Sequence, residues 1–535
     1  MSTTSDPASP TPQRSAKESV TRAAGVVGFA TLLSRILGYA RDMIIADLFG
    51  AKAAADAFFV AFRIPSLLRR LTAEGALSAA FVPVYTETRA TGKGAEAFLL
   101  VSNILTILTT LLIGVTLVGE WFAPELVTLI APGFTDDEET FALTVTLTRI
   151  TLPYIIFISM AAVVMGTLNA HGRFFAPAAA PALLNVAIIA CAYLLADRLA
   201  HPAMALAVGV VIGGMLHLGA QLIPLFRLGY RYRPRFDLKD AATRKIGLLM
   251  GPGVAGLAVA ELNVIVDTLL ASLLPQGAVS YLYYGNRITQ FPTGVFGAAI
   301  GVAALPSMAS AMMAGGAEKL RELVSHTVRL SMFVSIPSTV GLIVLAEPII
   351  NVLFERGQFG PADRAGAASA LICYSVGLVA FSGVKGLVAA FYALKDTATP
   401  TKIASLSMLV NIGLNLLLMG PMAHGGLALA TSLASFLNMG LLALLLRWRI
   451  AGIDGRRIAL STLQMSLAAV LMGGAVYGYI TLFYVYDAPA LARAGHLTLS
   501  IMIGLVVYYY AAVLLGCREA HAVRDRLGAR LRRKK

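Results

Sequence analysis

Apolar stretches recur along the whole chain and are separated by short polar segments. A helix of about 20 apolar residues crosses the ~30 Å hydrocarbon core of a bilayer. The pattern predicts about fourteen such helices, beginning near Ala24, Asp56, Ala97, Phe141, Phe175, Ala203, Lys245, Ser280, Leu320, Ala365, Thr401, Gly425, Ile458 and Leu497. We therefore predict an all-α polytopic membrane protein with no separate soluble domain.

The first two predicted spans contain arginines, which ordinary membrane helices lack. Arg35 and Arg41 lie in the first span, and Arg63, Arg69 and Arg70 lie in the second. One arginine at the centre of a membrane helix costs about 2.5–3.5 kcal/mol on insertion scales. Such residues face a water-filled cavity or a partner of opposite charge. The sequence thus predicts a cationic cavity within the membrane.

The polar residues of these two spans are spaced so that they share a helix face, because residues seven apart lie on the same side of a helix. The residues with this spacing are Ser34 and Arg41, Arg35 and Asp42, and Asp56, Arg63 and Arg70. The arginine fork donates two hydrogen bonds to phosphate oxygens and keeps its charge. We expect the carboxylates Asp42, Asp56 and Glu74 to hold the arginines in place. The alternative, strongest for Arg41, Arg63 and Arg70, is a structural ion pair or an arginine that reaches the lipid headgroups.

The second half of the chain repeats motifs of the first half at a nearly constant offset. Segment 58–64 resembles 282–288, segment 169–177 resembles 392–400, and Asn185 corresponds to Asn411. The offset predicts two six-helix lobes in a pseudo-twofold arrangement, followed by two C-terminal helices. In folds of this kind the ligand binds between the lobes near the membrane midplane, and one lobe rocks against the other. Arg287, the counterpart of Arg63, adds an arginine from the second lobe.

The formal net charge of +14 is distributed over alternate loops. This is the positive-inside pattern, which places both termini in the cytoplasm and argues against a nucleic-acid partner. The predicted divisions are a disordered tail (1–21), a first lobe (22–228), a basic linker (229–245), a second lobe (246–450), two helices that form a lipid groove (456–517) and a basic tail (518–535).

A second group of polar residues falls in the later spans: Asp267, Asn411, Asn415 and Thr431. Their oxygen atoms suit a small hard cation, and Asn411 and Asn415 are one turn apart on a helix. Hydrogen bonding between helices is the alternative for all four. The seven histidines, by contrast, are scattered without metal-ligand spacing.

Several motifs resemble the MurJ/MviN family of lipid II flippases. They lie at 34–42, 55–62, 68–70, 73–76 and 81–83, and later at 131–134, 283–287, 291–295, 374–378 and 391–392. The resemblance begins near Thr21 and is most specific in the first two spans. It implies the fold of the multidrug and polysaccharide-lipid exporter superfamily, with two six-helix lobes and two further helices.

The resemblance also implies a substrate and a binding site. The family moves lipid II, an undecaprenyl-pyrophosphate-linked peptidoglycan precursor, from the inner to the outer leaflet of the bacterial cytoplasmic membrane. Its substrate-binding positions correspond to Arg35, Arg41, Arg69, Arg287, Ser34, Asp56 and Glu74. No cofactor is required, but some members bind sodium through residues that resemble Asp267, Asn411, Asn415 and Thr431, although Asn415 is uncharged where an acidic ligand is expected. The implied partners are lipid II, membrane lipids and other cell-wall synthesis proteins.

Two functions other than a lipid II flippase are possible for a chain of this class. A drug or other polysaccharide-lipid exporter has the same fold, but a cavity for cationic drugs is expected to be rich in carboxylates. A membrane enzyme such as a glycosyltransferase needs carboxylate or metal constellations in sizeable loops. The loops here are short and lack such constellations. The cavity of arginines therefore favours transport of an anionic lipid-linked substrate.

Overall fold

The computed structural model describes residues 12–70, 77–91, 94–294, 298–522 and 524–525. In this part of the chain the regular structure consists of eighteen α-helices and two short 3₁₀-helices, Pro132–Asp136 and Ala196–Arg198. The α-helices are α1 (Pro12–Phe49), α2 (Ala53–Arg69), α3 (Leu77–Ala90), α4 (Gly94–Trp121), α5 (Ala123–Ile130), α6 (Glu138–Thr151), α7 (Tyr154–Ala170), α8 (Phe175–Leu195), α9 (Ala203–Arg227), α10 (Ala241–Ser272), α11 (Ala278–Pro292), α12 (Ala298–Val344), α13 (Ala346–Leu353), α14 (Pro361–Val376), α15 (Leu378–Ala393), α16 (Ala398–Arg449), α17 (Gly455–Phe483) and α18 (Ala490–Leu514).

Within the described ranges, nine helical segments are long and apolar enough to cross a membrane. They are Gly94–Trp121, Glu138–Ala170, Phe175–Arg198, Ala203–Arg227, Gly316–Val344, Pro361–Ala393, Ala398–Arg449, Gly455–Phe483 and Ala490–Leu514. The prediction of an all-helical polytopic membrane protein is confirmed at this level. The total of about fourteen spans and the six-helix lobes stay predictions. Helix α2 is outside the nine because it has only 17 residues.

Two of the helices are interrupted by a residue with left-handed backbone. Helix α16 has 52 residues and would measure about 78 Å if it were straight, far more than one membrane crossing. It is broken at Ala423, where φ is 47°, two residues after Pro421. Helix α12 is broken in the same way at Gly316, where φ is 65°. The break in α16 lies next to Gly425, where the sequence predicts a new span.

The predicted tails lie only partly in the described chain. Helix α1 begins at Pro12 and so includes residues 12–21 of the predicted disordered tail. Residues 1–11 of that tail are outside the described residues, and so is the C-terminal tail apart from residues 518–522 and 524–525.

The chain forms two compact units. The first contains Ala57–Leu129, Thr135–Leu262 and the described part of Met1–Ile45. One of its apolar cores joins α3, α4, α7 and α9, and includes Phe81, Tyr85 and Val101. Helices α8 and α9 approach closely at two glycines, since a Cβ on Gly209 would lie 2.7 Å from the Cα of Ile188 and one on Gly213 would lie 2.6 Å from Leu184. Small residues allow this close approach of membrane helices.

The second unit contains Ala46–Asp56, Ile130–Phe134 and the described part of Asn263–Lys535. Its core joins α12, α15, α16, α17 and α18, with Met308, Phe391 and Met465 among its most buried side chains. The outer faces of α17 and α18 expose large apolar side chains such as Leu471 and Leu505. Exposed apolar surface of this kind is typical of a helix that contacts lipid.

The basic linker is fastened to the first unit by a buried asparagine of α4. Asn103 is 1% exposed, and its Nδ2 donates 2.8 Å hydrogen bonds to the Asp237 carbonyl and the Thr243 hydroxyl. Its Oδ1 accepts a 2.8 Å hydrogen bond from the Asp237 amide. All polar atoms of the Asn103 side chain are therefore used.

The last three residues of the acidic run 136–139 form the start of helix α6. Asp137 is the N-cap residue, and its carboxylate accepts hydrogen bonds from the Glu139 and Thr140 amides and from the Thr140 hydroxyl. The hydrogen bond from the Thr140 side chain is the main reason why the pKa of Asp137 is lowered. This run therefore stabilises a helix start, where negative charge is favourable.

Candidate functional site

Helix α1 carries Ser34 and Arg35 in its apolar part. Arg35 is exposed, and Ser34 is partly buried. The Asn185 side chain of α8 donates a 3.2 Å hydrogen bond to the main-chain carbonyl of Ser34. This bond fixes the backbone beside Arg35.

Arg41 lies two turns further along α1 and pairs with its neighbour Asp42. An Nη2–Oδ1 distance of 2.6 Å joins the two side chains, which are 12% and 0% exposed. The expected pairing of Asp42 with an arginine is thus observed. A buried ion pair holds the guanidinium in one orientation, because an uncompensated charge at this depth is costly.

Asp56 has a different partner from the one expected. Its carboxylate is 2% exposed and accepts hydrogen bonds from the Gly277 amide at 2.7 Å, from the Ser280 amide at 2.8 Å and from the Ser280 hydroxyl. These groups form the first turn of α11, so Asp56 caps that helix. The expectation that Asp56 holds an arginine is therefore wrong, because these backbone N–H groups occupy the carboxylate.

Arg70 is paired with a residue that the sequence leaves unassigned. Its Nη1 lies 3.3 Å from Oε1 of Glu261 in α10, which is largely buried. Arg63 is partly buried on the preceding turns of α2. Glu74, the remaining predicted partner of these arginines, is outside the described residues.

Arg69 lines a cavity of about 120 Å³ inside the first unit. Two polar side chains of α9, His217 and Gln221, lie in the same wall. They are 9% and 1% exposed. Sequence reasoning did not single out Gln221, although its spacing of four from His217 puts both on one face of an otherwise apolar span.

Arg287 lies on α11 in the second unit and is partly buried. Helix α11 packs tightly on α14 through Gly285, where a Cβ would lie 2.8 Å from the Leu371 amide nitrogen. Together with the Asp56 cap, this contact fixes the helix that presents Arg287. Only glycine fits this approach without a shift of the α14 backbone.

The four predicted cation ligands come together in the second unit. Nδ2 of Asn415 donates to Oδ1 of Asp267 at 2.8 Å and to Oδ1 of Asn411 at 3.1 Å. Nδ2 of Asn411 donates to the Thr431 hydroxyl at 3.4 Å. Helices α10 and α16 thus place one carboxylate, two amides and one hydroxyl in a single network.

This network has spare acceptor oxygens. Oδ1 of Asn415 and Oδ1 of Asn263 are buried and accept no hydrogen bond within the described chain. Asn263 also donates to Asp267 at 3.4 Å. Hard oxygen donors with unused lone pairs fit a small cation, and the single carboxylate balances one positive charge. The residues present are therefore compatible with a monovalent cation.

Comparison with known families and proteins gives a consistent result. The family model described as lipid II flippase MurJ matches residues 45–492. A protein of Vibrio cholerae named probable lipid II flippase MurJ is 37% identical over 505 residues, which cover 92% of this chain and 94% of that protein. The lipid II flippase MurJ of Burkholderia cenocepacia is 39% identical over 432 residues, covering 79% of this chain and 83% of that protein.

Solved structures extend the similarity to the fold. A lipid II flippase MurJ in an inward closed conformation is 26% identical and matches with a TM-score of 0.77, covering 91% of this chain and 98% of that one. An inward-facing multidrug resistance transporter of the MATE family is 15% identical and matches with a TM-score of 0.64 over 81% of this chain and 99% of its own. The second match concerns the fold alone.

Proposed function

The chain belongs to the MurJ family of lipid II flippases, and we propose that it moves lipid II to the outer leaflet by alternating access through a cationic cavity. Lipid II is the lipid-linked precursor of peptidoglycan, so the protein serves cell-wall biogenesis and cell shape. It is a transporter and not a catalytic enzyme. The observation that carries the function is the family match over most of the chain, together with 37% identity to a relative over 92% of this chain.

In this mechanism Arg35, Arg41, Arg69 and Arg287 bind the pyrophosphate and the adjoining sugar. Arginine suits this group because its planar fork bonds two oxygens at once. This role is supported by contacts that hold several of these residues in place. Arg41 is oriented by Asp42, Ser34 lies on a backbone fixed by Asn185, and Arg287 lies on a helix that Asp56 caps. Glu74 is proposed to orient the arginines of the second span.

The fourteen-span arrangement with two six-helix lobes belongs to the same proposal. The lobes comprise 22–228 and 246–450, joined by the linker 229–245. Rocking of one lobe against the other exposes the headgroup on the outer side. The polyprenyl tail stays in lipid along α17 and α18, whose outer faces expose large apolar side chains. The protein lies in the inner membrane with both termini in the cytoplasm.

The function is tested by depleting cells of their own lipid II flippase and expressing this chain. Restored lipid II translocation and growth are expected. Binding of lipid II to the purified protein is measured beside binding of drug-like cations, because an exporter of cationic drugs prefers the latter. Failure to restore translocation together with preferential binding of cations would contradict the proposal.

We further propose that the Asp267 network binds sodium and couples it to transport. The membrane potential supplies about 2.3 kcal/mol per elementary charge per 100 mV, which a bound cation can use. Bound sodium would supply a positive charge beside the Asp267 carboxylate. The protein's own part is to hold that carboxylate, two amides and the Thr431 hydroxyl within one hydrogen-bonded network.

Sodium is expected to raise the melting temperature of the purified protein relative to choline, and Asp267→Asn is expected to remove this effect. A ligand that binds only the folded state stabilises it by about 2.7 kcal/mol at a hundredfold excess over its Kd. Asp136→Asn, on an exposed residue, is the matched control and should keep the response. If the wild-type protein melts at the same temperature in sodium and in choline, the network binds no sodium and serves only as hydrogen bonding between helices.

A further inference from the structure

The cavity beside Arg69 is built from four helices of the first unit. Helix α2 provides Arg69, α7 provides Tyr154 and neighbouring apolar residues, α8 provides Pro177 and Pro181, and α9 provides His217 and Gln221. Most of the wall is apolar. A charged or polar ligand group in such surroundings interacts strongly with the few polar groups present.

We propose that this cavity is a binding subsite for one phosphate-type oxoanion group of the lipid-linked substrate, and that His217 and Gln221 bind that group together with Arg69. The inference rests on the proposed flippase function and adds two binding residues to it. The charged part of the substrate would then bind in a pocket that lies within the first unit.

The first argument is the state of the polar atoms in the pocket. Both side-chain polar atoms of Gln221, Nε2 and Oε1, are buried and have no hydrogen-bond partner within the described chain. The same holds for Nδ1 of His217. A buried amide without partners destabilises a folded protein. An anionic ligand in the cavity would accept a hydrogen bond from Nε2 of Gln221 and, where it carries the ring proton, from Nδ1 of His217.

The contrast with Asn103 strengthens this argument. Asn103 is an equally buried carboxamide of the same unit, and each of its polar atoms has a partner. The fold therefore does satisfy a buried amide where that amide is structural. Gln221 lies at the wall of a cavity and is not satisfied.

The second argument is the chemistry and size of the pocket. Arg69, Nε2 of Gln221 and an imidazole N–H are donors, so their common ligand is an acceptor with several oxygens. A cavity of about 120 Å³ holds several waters, at ~15 Å³ for each. It accommodates one phosphate-type group but not a disaccharide with its peptide. The pocket thus selects a small charged part of the substrate.

The test uses two variants of Gln221 and one matched control in the purified full-length protein. Gln221→Met keeps the size and removes both polar atoms, and Gln221→Glu keeps the shape and adds a negative charge. Asn103→Leu removes a buried carboxamide that is fully hydrogen-bonded. Melting temperature, binding of lipid II and binding of inorganic pyrophosphate are measured for each protein, and translocation is measured in depleted cells.

Gln221→Met is expected to melt at a higher temperature than the wild type while binding lipid II about tenfold more weakly, because one hydrogen bond to a charged group is lost. Gln221→Glu is expected to bind lipid II more weakly still. Asn103→Leu is expected to melt at a lower temperature and, below that temperature, to bind lipid II as the wild type does. If Gln221 had only a structural role, its replacement by Met would not raise the melting temperature and weaken lipid II binding at the same time.

The outcomes separate the possible ligands and the two proposals. If pyrophosphate competes with lipid II and Gln221→Met weakens this competition, the cavity binds a phosphate-type group. If the same variant also loses lipid II binding, that group belongs to the substrate. Pyrophosphate binding that depends on Gln221, with lipid II binding unchanged, would replace the substrate by a free anion and overturn the inference. Equal lipid II binding and translocation by wild type and both Gln221 variants would also overturn it, while the flippase function stands. A wild type that neither binds nor moves lipid II would contradict the flippase function itself.

Discussion

Arg35→Ala is expected to abolish the restoration of lipid II translocation in depleted cells while leaving the protein folded. Arg35 is exposed, so its removal disturbs little packing. Loss of hydrogen bonds to a charged group costs about 1.5–3 kcal/mol, which corresponds to roughly ten- to a hundredfold weaker binding of the pyrophosphate. Arg35→Lys keeps the charge but not the planar fork and is expected to retain an intermediate activity.

The control for this prediction is Arg173→Ala, which removes another exposed arginine from the loop between α7 and α8. It should restore translocation as the wild type does. The measurement is the fraction of lipid II that reaches the outer leaflet, with the amount of protein in the membrane determined in parallel. Full translocation by Arg35→Ala at wild-type protein levels would show that Arg35 does not bind the substrate.

Asp56→Ala is expected to destabilise the protein severely, with an effect on folding and not on substrate contact. The substitution removes three hydrogen bonds to a charged acceptor and leaves the Gly277 and Ser280 amides buried without it. Each hydrogen bond to a charged group contributes about 1.5–3 kcal/mol, so the sum is a large part of the stability of a typical domain. A much lower melting temperature and little protein in the membrane are the expected results.

Two comparisons make the Asp56 prediction specific. Ser280→Ala removes only the hydroxyl hydrogen bond and should lower the melting temperature by a smaller amount. Asp197→Ala changes an exposed carboxylate and should leave it unchanged. If Asp56→Ala melts like the wild type and only transport is lost, Asp56 acts on the substrate and the cap is not its main role.

Local sequence patterns predicted the helices well because helices are stabilised by nearby residues. The predicted starts at Phe175 and Ala203 coincide with the first residues of α8 and α9. The predicted start at Gly425 lies next to the break at Ala423, which follows Pro421. Proline and a left-handed residue interrupt a helix through local geometry, and that information is contained in a few neighbouring residues.

Partners distant in sequence were harder to predict. Asp42 was expected to hold an arginine, and it pairs with its sequence neighbour Arg41. The partner of Asp56 is a helix start more than 200 residues away, and the partner of Arg70 is Glu261. The expectation that Asp56 binds an arginine used residue spacing on one helix, which contains no information about the helix packed against it.

The sequence by itself determined the membrane class, the helical content, the family and the candidate arginines, because apolar length, charge and motif spacing are local properties. Only the tertiary structure decided that Asp56 caps α11, that Asp267, Asn411, Asn415 and Thr431 form one network, and that His217 and Gln221 line a cavity with Arg69. The physical reason is that hydrogen bonds and cavities depend on which helices pack together. Those contacts join residues from distant parts of the chain.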